Sequence, residues 1–322
     1  MAALLHPLLA ERADDLQRQF ASNQPFRHVI LEPFLAPEFC EALIAEFPPF
    51  DEKYAVSEDG TIAGKAVISK MARLGPAYRR FDGLMSDPEF LALTSRITGI
   101  PRLLYDPDYI GGGTHENLDG QELDSHVDFN YHPATHWHRR LNLILFLNAE
   151  WDESWGGCLE LVRDPFAREE GCRRSVTPLA NRAVIFETTE SSWHGFRRIR
   201  LPAGKRTSRR SIAVYFYTRE RPAADTAPSH ATIYYQRPLP DHLQAGYTLR
   251  EEDRRELETL LERRDGTIRF LYQRELEFSK ALEQRDRTVA EALETVTGSA
   301  SFRLGRALTW PARALRSWTK RG

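Results

Sequence analysis

Between residues 101 and 220 the apolar residues fall into short runs of period two, cut apart by Gly, Pro and Asp. No other feature limits the possible folds of this chain as sharply. Runs of this length and period are strands, and several in succession predict a barrel or a sandwich. The clearest are 141–147 (LNLILFL), 158–162 (CLELV), 183–187 (AVIFE) and 211–217 (SIAVYFY). In the first, Leu141, Leu143, Leu145 and Leu147 share one face, while Asn142, Ile144, Phe146 and Asn148 share the other. An all-leucine face predicts packing against helices. In 209–216, Arg210, Ile212, Val214 and Phe216 alternate with Arg209, Ser211, Ala213 and Tyr215. The second set has small residues in its middle, which leaves room for a ligand.

The flanking segments change period. Residues 1 to about 100 predict helices around one early strand at 26–34. A helix over 37–47 opens with Pro37 at its first position, and another near 87–97 closes at Gly99. Pro222, Pro228, Pro238 and Pro240 mark 223–248 as a linker or lid. From 249 to 296 the chain is dense in Glu, Arg and Leu. Positions 257, 261, 264, 268, 271, 275, 278, 282, 285, 289, 292 and 296 alternate by four and three and form a coiled-coil-like seam. Nine of those twelve are apolar, and Arg264, Glu275 and Arg285 break the seam, which predicts weak self-association. The tail 297–322 carries six Lys and Arg, no acid, and interleaved Phe, Leu and Trp; Pro311 is expected to interrupt any single helix there. Such a tail suits a peripheral membrane or protein contact. The expected organisation is therefore a β domain with its N-terminal helices over 1–222, a linker, a charged helix and a basic tail.

Composition narrows the function classes. A net charge of −2 over 322 residues predicts no general attraction to nucleic acid. Cys40, Cys158 and Cys172 are widely spaced and odd in number, a poor disulfide framework without zinc spacing. Together with an N-terminus unlike a signal peptide and no run long enough to span a membrane, this predicts the cytoplasm.

Chemistry concentrates at His126-Val127-Asp128 and at His194 in SSWHG. Alternation along a strand puts residues 126 and 128 on one face, where both can reach the same metal. A third ligand from a distant strand would complete a triangular face and leave positions open, the arrangement that suits Fe(II). Each piece alone has a plainer reading: two polar loop residues for the first, a half-buried histidine beside Trp193 for the second. His132, His136 and His138 have loop spacing and are expected at the entrance, with Trp137 packed among them. His115 and Asn117 can face a substrate or solvent.

Taken together, HVDFNYHP, HRRLNLILFLNAEWDESWGGCLELV, SSWHG and RRSIAVYFYTRE resemble the prolyl-hydroxylase-like family of 2-oxoglutarate/Fe(II) dioxygenases, in the family's order and spacing. The resemblance covers residues 26–220, most strongly 109–219. It implies an α+β fold: a double-stranded β-helix (jelly-roll) with flanking helices, here with a C-terminal helical extension. It also implies Fe(II) held by His126, Asp128 and His194, 2-oxoglutarate as cosubstrate, O2 as co-reactant, ascorbate as a candidate reductant, and hydroxylation of an organic C–H bond. A basic residue opening the last strand holds the far carboxylate of 2-oxoglutarate. Arg209 matches that position, with Arg210 the alternative if the register shifts by one. Relatives often carry a Tyr where Phe146 stands. Asn142 on the same face is the candidate replacement donor, and Tyr215 is the third candidate contact. Asp128 argues against a halogenase, which needs that coordination position for chloride.

Two other classes fit less of the sequence: a scaffold with an idle β-helix assembled through its helical tail, and a different metal enzyme such as an isomerase. Fold does not give substrate. Peptidyl proline, a free amino acid, a sugar and a lipid-linked intermediate all suit the residues.

Overall fold

The structure, a computed structural model, describes residues 4–49, 65–167 and 173–318. The N-terminal part is mostly helical: α1 (Leu8–Glu11), α2 (Ala13–Ser22), α3 (Pro37–Ala45), α4 (Pro76–Ser86) and α5 (Pro88–Thr98), with strands β1 (His28–Leu31) and β2 (Lys65–Ile68) between them. Pro37 starts α3, and Asp87 caps α5 by accepting from Glu89 N–H. Gly99 ends α5 in the left-handed conformation at φ 70°.

The β region follows as β3 (Leu104–Tyr105), β4 (Gly113–Asn117), β5 (Leu123–Val127), β6 (His138–Phe146), β7 (Leu159–Val162), β8 (Arg173–Val176), β9 (Ala183–Glu187), β10 (Trp193–Phe196), β11 (Arg209–Thr218) and β12 (Ile233–Tyr234). The larger sheet runs β1-β9-β6-β11-β4-β2, with β3 also on β11, and the smaller runs β12-β5-β10-β7-β8. From β4 to β11 the chain changes sheet at every step except the β7–β8 hairpin, and all pairings are antiparallel. That winding is the double-stranded β-helix.

The two faces of the larger sheet divide as alternation requires. Leu141, Leu143, Leu145, Leu147, Ile185, Ile212, Val214 and Phe216 join the helical residues Leu16, Phe20, Leu43, Phe81 and Phe90 in one buried cluster. Ile144, Phe146, Val184 and Phe186 meet Leu159, Leu161 and Val176 of the smaller sheet inside the barrel. The interior between the sheets therefore has an apolar floor, and its polar residues collect elsewhere along it. Cys40 and Cys158 are buried free thiols; Cys172 lies outside the described residues.

The chain divides into two units, Met1–Pro238 and Leu239–Gly322. In the second, α6 (Glu251–Gly298) and α7 (Ala300–Trp318) are separated at Ser299, whose backbone is extended. The break expected at Pro311 is thus absent: α7 runs through it. Proline keeps a helical φ and forfeits one N–H, whereas Gly298-Ser299 supplies both a helix end and an N-cap, since Ser299 Oγ accepts from Phe302 N–H at 3.2 Å. No helix among the described residues is long and apolar enough to cross a membrane.

Candidate metal centre

Strand β5 carries His126 and leads directly into Asp128, and β10 carries His194 directly opposite His126. The two strands approach closely because residue 195 is glycine: a Cβ there would lie 2.5 Å from the Leu123 carbonyl oxygen. All three side chains are buried, and one ligand atom from each lies within 4.8 Å of the others. His126 Nε2 is 3.7 Å from Asp128 Oδ1, and His194 Nε2 is 3.6 Å from Asp128 Oδ2.

The histidines are oriented by their other nitrogens. His126 Nδ1 lies 2.9 Å from the Asp124 carbonyl, and His194 Nδ1 lies 3.0 Å from the Ser192 carbonyl. A carbonyl accepts only from N–H, so each ring keeps its proton on Nδ1 and turns the Nε2 lone pair toward Asp128. Ser192 is itself fixed by a tight turn in which its hydroxyl donates to the Thr189 carbonyl at 2.8 Å. Two imidazole nitrogens and one carboxylate oxygen on one side of a buried centre are the donor set for Fe(II) with open positions.

Asp128 is also held from the barrel side. Arg139, completely buried, places Nη2 2.9 Å from Asp128 Oδ2. Its guanidinium lies 3.4 Å over the Tyr215 ring and 4.5 Å from that of Phe129. Burial works to lower the Arg139 pKa, but the Asp128 carboxylate and the flanking tyrosines outweigh it and hold the pKa above its ordinary value. Alternation along β6 assigns Arg139 to the leucine face. It turns inward because the β6–β11 register slips there: Leu141 faces Phe216, whereas Arg139 already faces Tyr217. Asn142 Nδ2 lies 3.3 Å from Asp128 Oδ2. This corrects its expected place beside Phe146, because four residues of strand, about 13 Å, separate the two positions.

Farther along β11 a second set of polar residues lies on the interior face. Arg209 is buried, its guanidinium 4.3 Å from the Phe196 ring and 5.2 Å from that of Phe146. Its Nε donates to the Gly157 carbonyl at 2.6 Å, and Gly157 holds φ 68°, a conformation that favours glycine. No carboxylate pairs with Arg209 among the described residues, and burial lowers its pKa to about 10. Ser211 Oγ and Asn117 Oδ1 are likewise buried without hydrogen-bond partners there. Asn117 faces Arg209 and His115 faces Ser211 across the β4–β11 ladder, so all four share the interior face. A desolvated cation and unanswered polar atoms on one inner face fit a small organic anion. Arg210 points the other way: it is partly exposed, 3.1 Å from Glu116 Oε1 and over Phe47. Tyr215 donates to the Gly111 carbonyl at 2.8 Å and sits at the metal end.

Among the described residues the other histidines join no second group of candidate metal ligands. His132 is buried, its Nδ1 accepting from Ala134 and Thr135 N–H at 3.2 and 3.1 Å, with Nε2 3.6 Å from Asp106. It pins its loop from inside and does not line an entrance. His138 stacks on Tyr131 at 4.8 Å, and His136 has a positive φ of 57°.

A cover comes from the segment expected as linker or lid. β12 pairs Tyr234 with His126 and Ile233 with Val127, and the Tyr234 ring lies 5.3 Å from that of His126. Glu190, on the turn before His194, is 2.8 Å from His230 Nε2, and Arg237 reaches Glu122 and Asp124 at 2.9 and 2.8 Å. Residues 228–237 are thereby strapped across the edge of the smaller sheet beside the centre.

Residues 113–217 match the family model described as the 2OG-Fe(II) oxygenase superfamily. Prolyl 3-hydroxylase OGFOD1 of Mus musculus is 31% identical over 103 residues, 32% of this chain and 17% of that protein. The chain thus spans about a sixth of the length of that curated relative. Among solved structures, a prolyl hydroxylase from Trichoplax adhaerens in complex with a hypoxia inducible factor peptide fragment is 14% identical. It covers 65% of this chain and 90% of its own at a TM-score of 0.47. A Pseudomonas putida prolyl-4-hydroxylase is 21% identical and covers 66% of this chain and 100% of its own at a TM-score of 0.41.

Proposed function

We propose that this chain, whose residues 113–217 match the 2OG-Fe(II) oxygenase superfamily, is a prolyl-hydroxylase-like oxygenase that takes Fe(II) and 2-oxoglutarate and hydroxylates a C–H bond of an organic substrate. The observation that carries the reading is the pair of Nδ1-anchored histidines turned onto Asp128, together with a buried arginine on β11 that has no carboxylate partner among the described residues. His126, Asp128 and His194 would hold the iron. Bound Fe(II) and 2-oxoglutarate supply the oxidising chemistry, consuming O2 and releasing succinate and CO2.

The protein's own work is positional. Arg209 binds the far carboxylate of 2-oxoglutarate, with Ser211 Oγ free to donate to it. Ala213, between Ser211 and Tyr215 on that face, leaves the volume for the carbon chain. Arg139 holds one oxygen of Asp128, which favours attachment through the other and keeps positions open for cosubstrate and O2. The apolar floor of Phe146, Phe186 and Leu161 excludes water from the chamber. An idle scaffold has no use for a buried cation that meets no carboxylate among the described residues, which favours the catalytic reading.

Adding 2-oxoglutarate to the Fe(II)-loaded protein without air is expected to produce a visible charge-transfer absorption. Admitting air should then yield succinate, and a panel of peptidyl proline, amino acids, sugars and lipid-linked compounds should speed it when the substrate is present. Neither absorption nor succinate from metal-loaded, folded protein would sink the proposal.

We further propose that the tail 297–322 makes a peripheral contact with an anionic membrane. Its sequence has six cations and no acidic residue, and Phe302, Leu304, Leu308 and Trp310 are exposed on the described part of α7. Full-length protein is expected to sediment with anionic vesicles and to lose this on truncation after Thr295, with turnover unchanged. Equal sedimentation of both forms would leave the tail as a soluble basic extension or a protein contact.

A further inference from the structure

We infer that α6 pairs with α6 of a second copy of this chain, antiparallel, with Glu275 of each helix opposite Arg285 of the other. The helix has 48 residues and, at 1.5 Å per residue, is about 72 Å long. Its four-and-three seam lies in solvent: Ile268, Leu271, Phe278, Leu282, Val289 and Val296 are 48–61% exposed. Residues 275–298 are exposed on every side. An exposed apolar stripe of this length, interrupted only at a few charged positions, marks an interaction surface, and the charges within it select the partner and the direction.

A parallel, in-register pair would stack Glu275 on Glu275, Arg285 on Arg285 and Arg264 on Arg264 at the seam, three layers of like charge. An antiparallel pair whose two-fold axis passes beside residue 280 removes every such layer between 268 and 292. It sets Ile268 opposite Ala292, Leu271 opposite Val289, Glu275 opposite Arg285 and Phe278 opposite Leu282, and symmetry repeats the same four. The positions that flank the seam across the axis are Ser279 and Ala281, both small enough for close approach. An alternative antiparallel register would set Glu275 opposite Arg264 and needs the seam around Leu257 and Leu261. Leu260 there is already buried and Leu257 half-buried, although Leu261 is exposed; from Ile268 onward every seam residue is exposed, so that half is the more available one.

Full-length protein examined by sedimentation equilibrium is expected to show a concentration-dependent monomer–dimer equilibrium. Glu275→Arg should weaken it about tenfold or more by opposing cations at two layers, and Glu275→Arg combined with Arg285→Glu should restore it. In a parallel pair the double variant would stay repulsive. Mild oxidation of Ala281→Cys should link two chains through residue 281, which a parallel pair holds on opposite sides of the seam, with the unsubstituted protein as the control for its own cysteines. A chain monomeric at every concentration, or a dimer indifferent to Glu275→Arg, would overturn the inference. Linkage through Tyr272→Cys in place of Ala281→Cys would overturn the register. All these residues are exposed on the second unit, so helix content and cofactor turnover should be unchanged throughout.

Discussion

Alanine in place of His126, Asp128 or His194 is expected to reduce 2-oxoglutarate turnover to background while the protein still unfolds cooperatively. Each side chain lines the chamber and contributes no apolar packing to the main cluster of leucines and helices. Calorimetric titration with Mn(II) separates loss of metal from loss of fold: the alanine variants should show no high-affinity site. Arg139→Leu tests the grip on Asp128 through the same measurement. Removing a group that orients a metal ligand typically lowers metal affinity about 10–100-fold, and Arg139→Lys should recover part of it by returning a cation without the planar fork. Undiminished metal affinity in Arg139→Leu would reduce that arginine to a packing role. Full turnover in any one alanine variant would remove that residue from the triad.

Arg209→Met is expected to separate function from stability in opposite directions. The KM for 2-oxoglutarate should rise about 100-fold or more, since stripping a buried carboxylate of its partner costs roughly 3 kcal/mol or more. The ligand-free protein should become more resistant to heat, because a buried cation with no carboxylate partner is replaced by an apolar chain of similar length. The sign follows from the direction of the shift. Burial lowers Arg209 to about 10, below its unfolded value, so the cost of keeping it charged is fully present below pH 10. That cost falls only as the pH rises beyond it. A dianion bound at Arg209 would oppose that penalty at neutral pH. Arg210→Ala, by contrast, removes a partly exposed contact with Glu116 and should leave KM unchanged. Kinetics and thermal unfolding of both variants decide the matter, and the reverse pattern would move the anion contact to Arg210.

The strands with an apolar period, β6 and β11 among them, are legible in the sequence, whereas the short strands around the candidate ligands are not. Leucines at 141, 143, 145 and 147 announce a buried face at period two because one side of β6 packs on helices. β4 (GTHEN), β5 (LDSHV) and β10 (WHGF) have no apolar period, because polar residues occupy their interior-facing positions. Motif and alternation suggest His126, Asp128 and His194 as candidate ligands, and the family resemblance suggests Arg209 as the anion contact. Arg139 escaped because a slip of one residue against β11 reverses the parity that alternation relies on. Asn142 was placed near Phe146 by face alone, without the length of strand between them. In the tail, the strongest helix breaker by reputation, Pro311, was outranked by a glycine followed by a capping serine.

β12 has a bearing on aggregation. Without it, β5 would be the open edge of the smaller sheet, offering the backbone groups of the strand that carries His126 to any other extended chain. Two residues of β12, with Arg237 ionically tied behind them, blunt that edge. A chain cut at residue 222, just after the last core strand, would keep every candidate iron ligand and yet expose a template for edge-to-edge association. The segment that follows the barrel is therefore a guard on solubility as well as a cover, and the stretch that must stay intact reaches past Arg237.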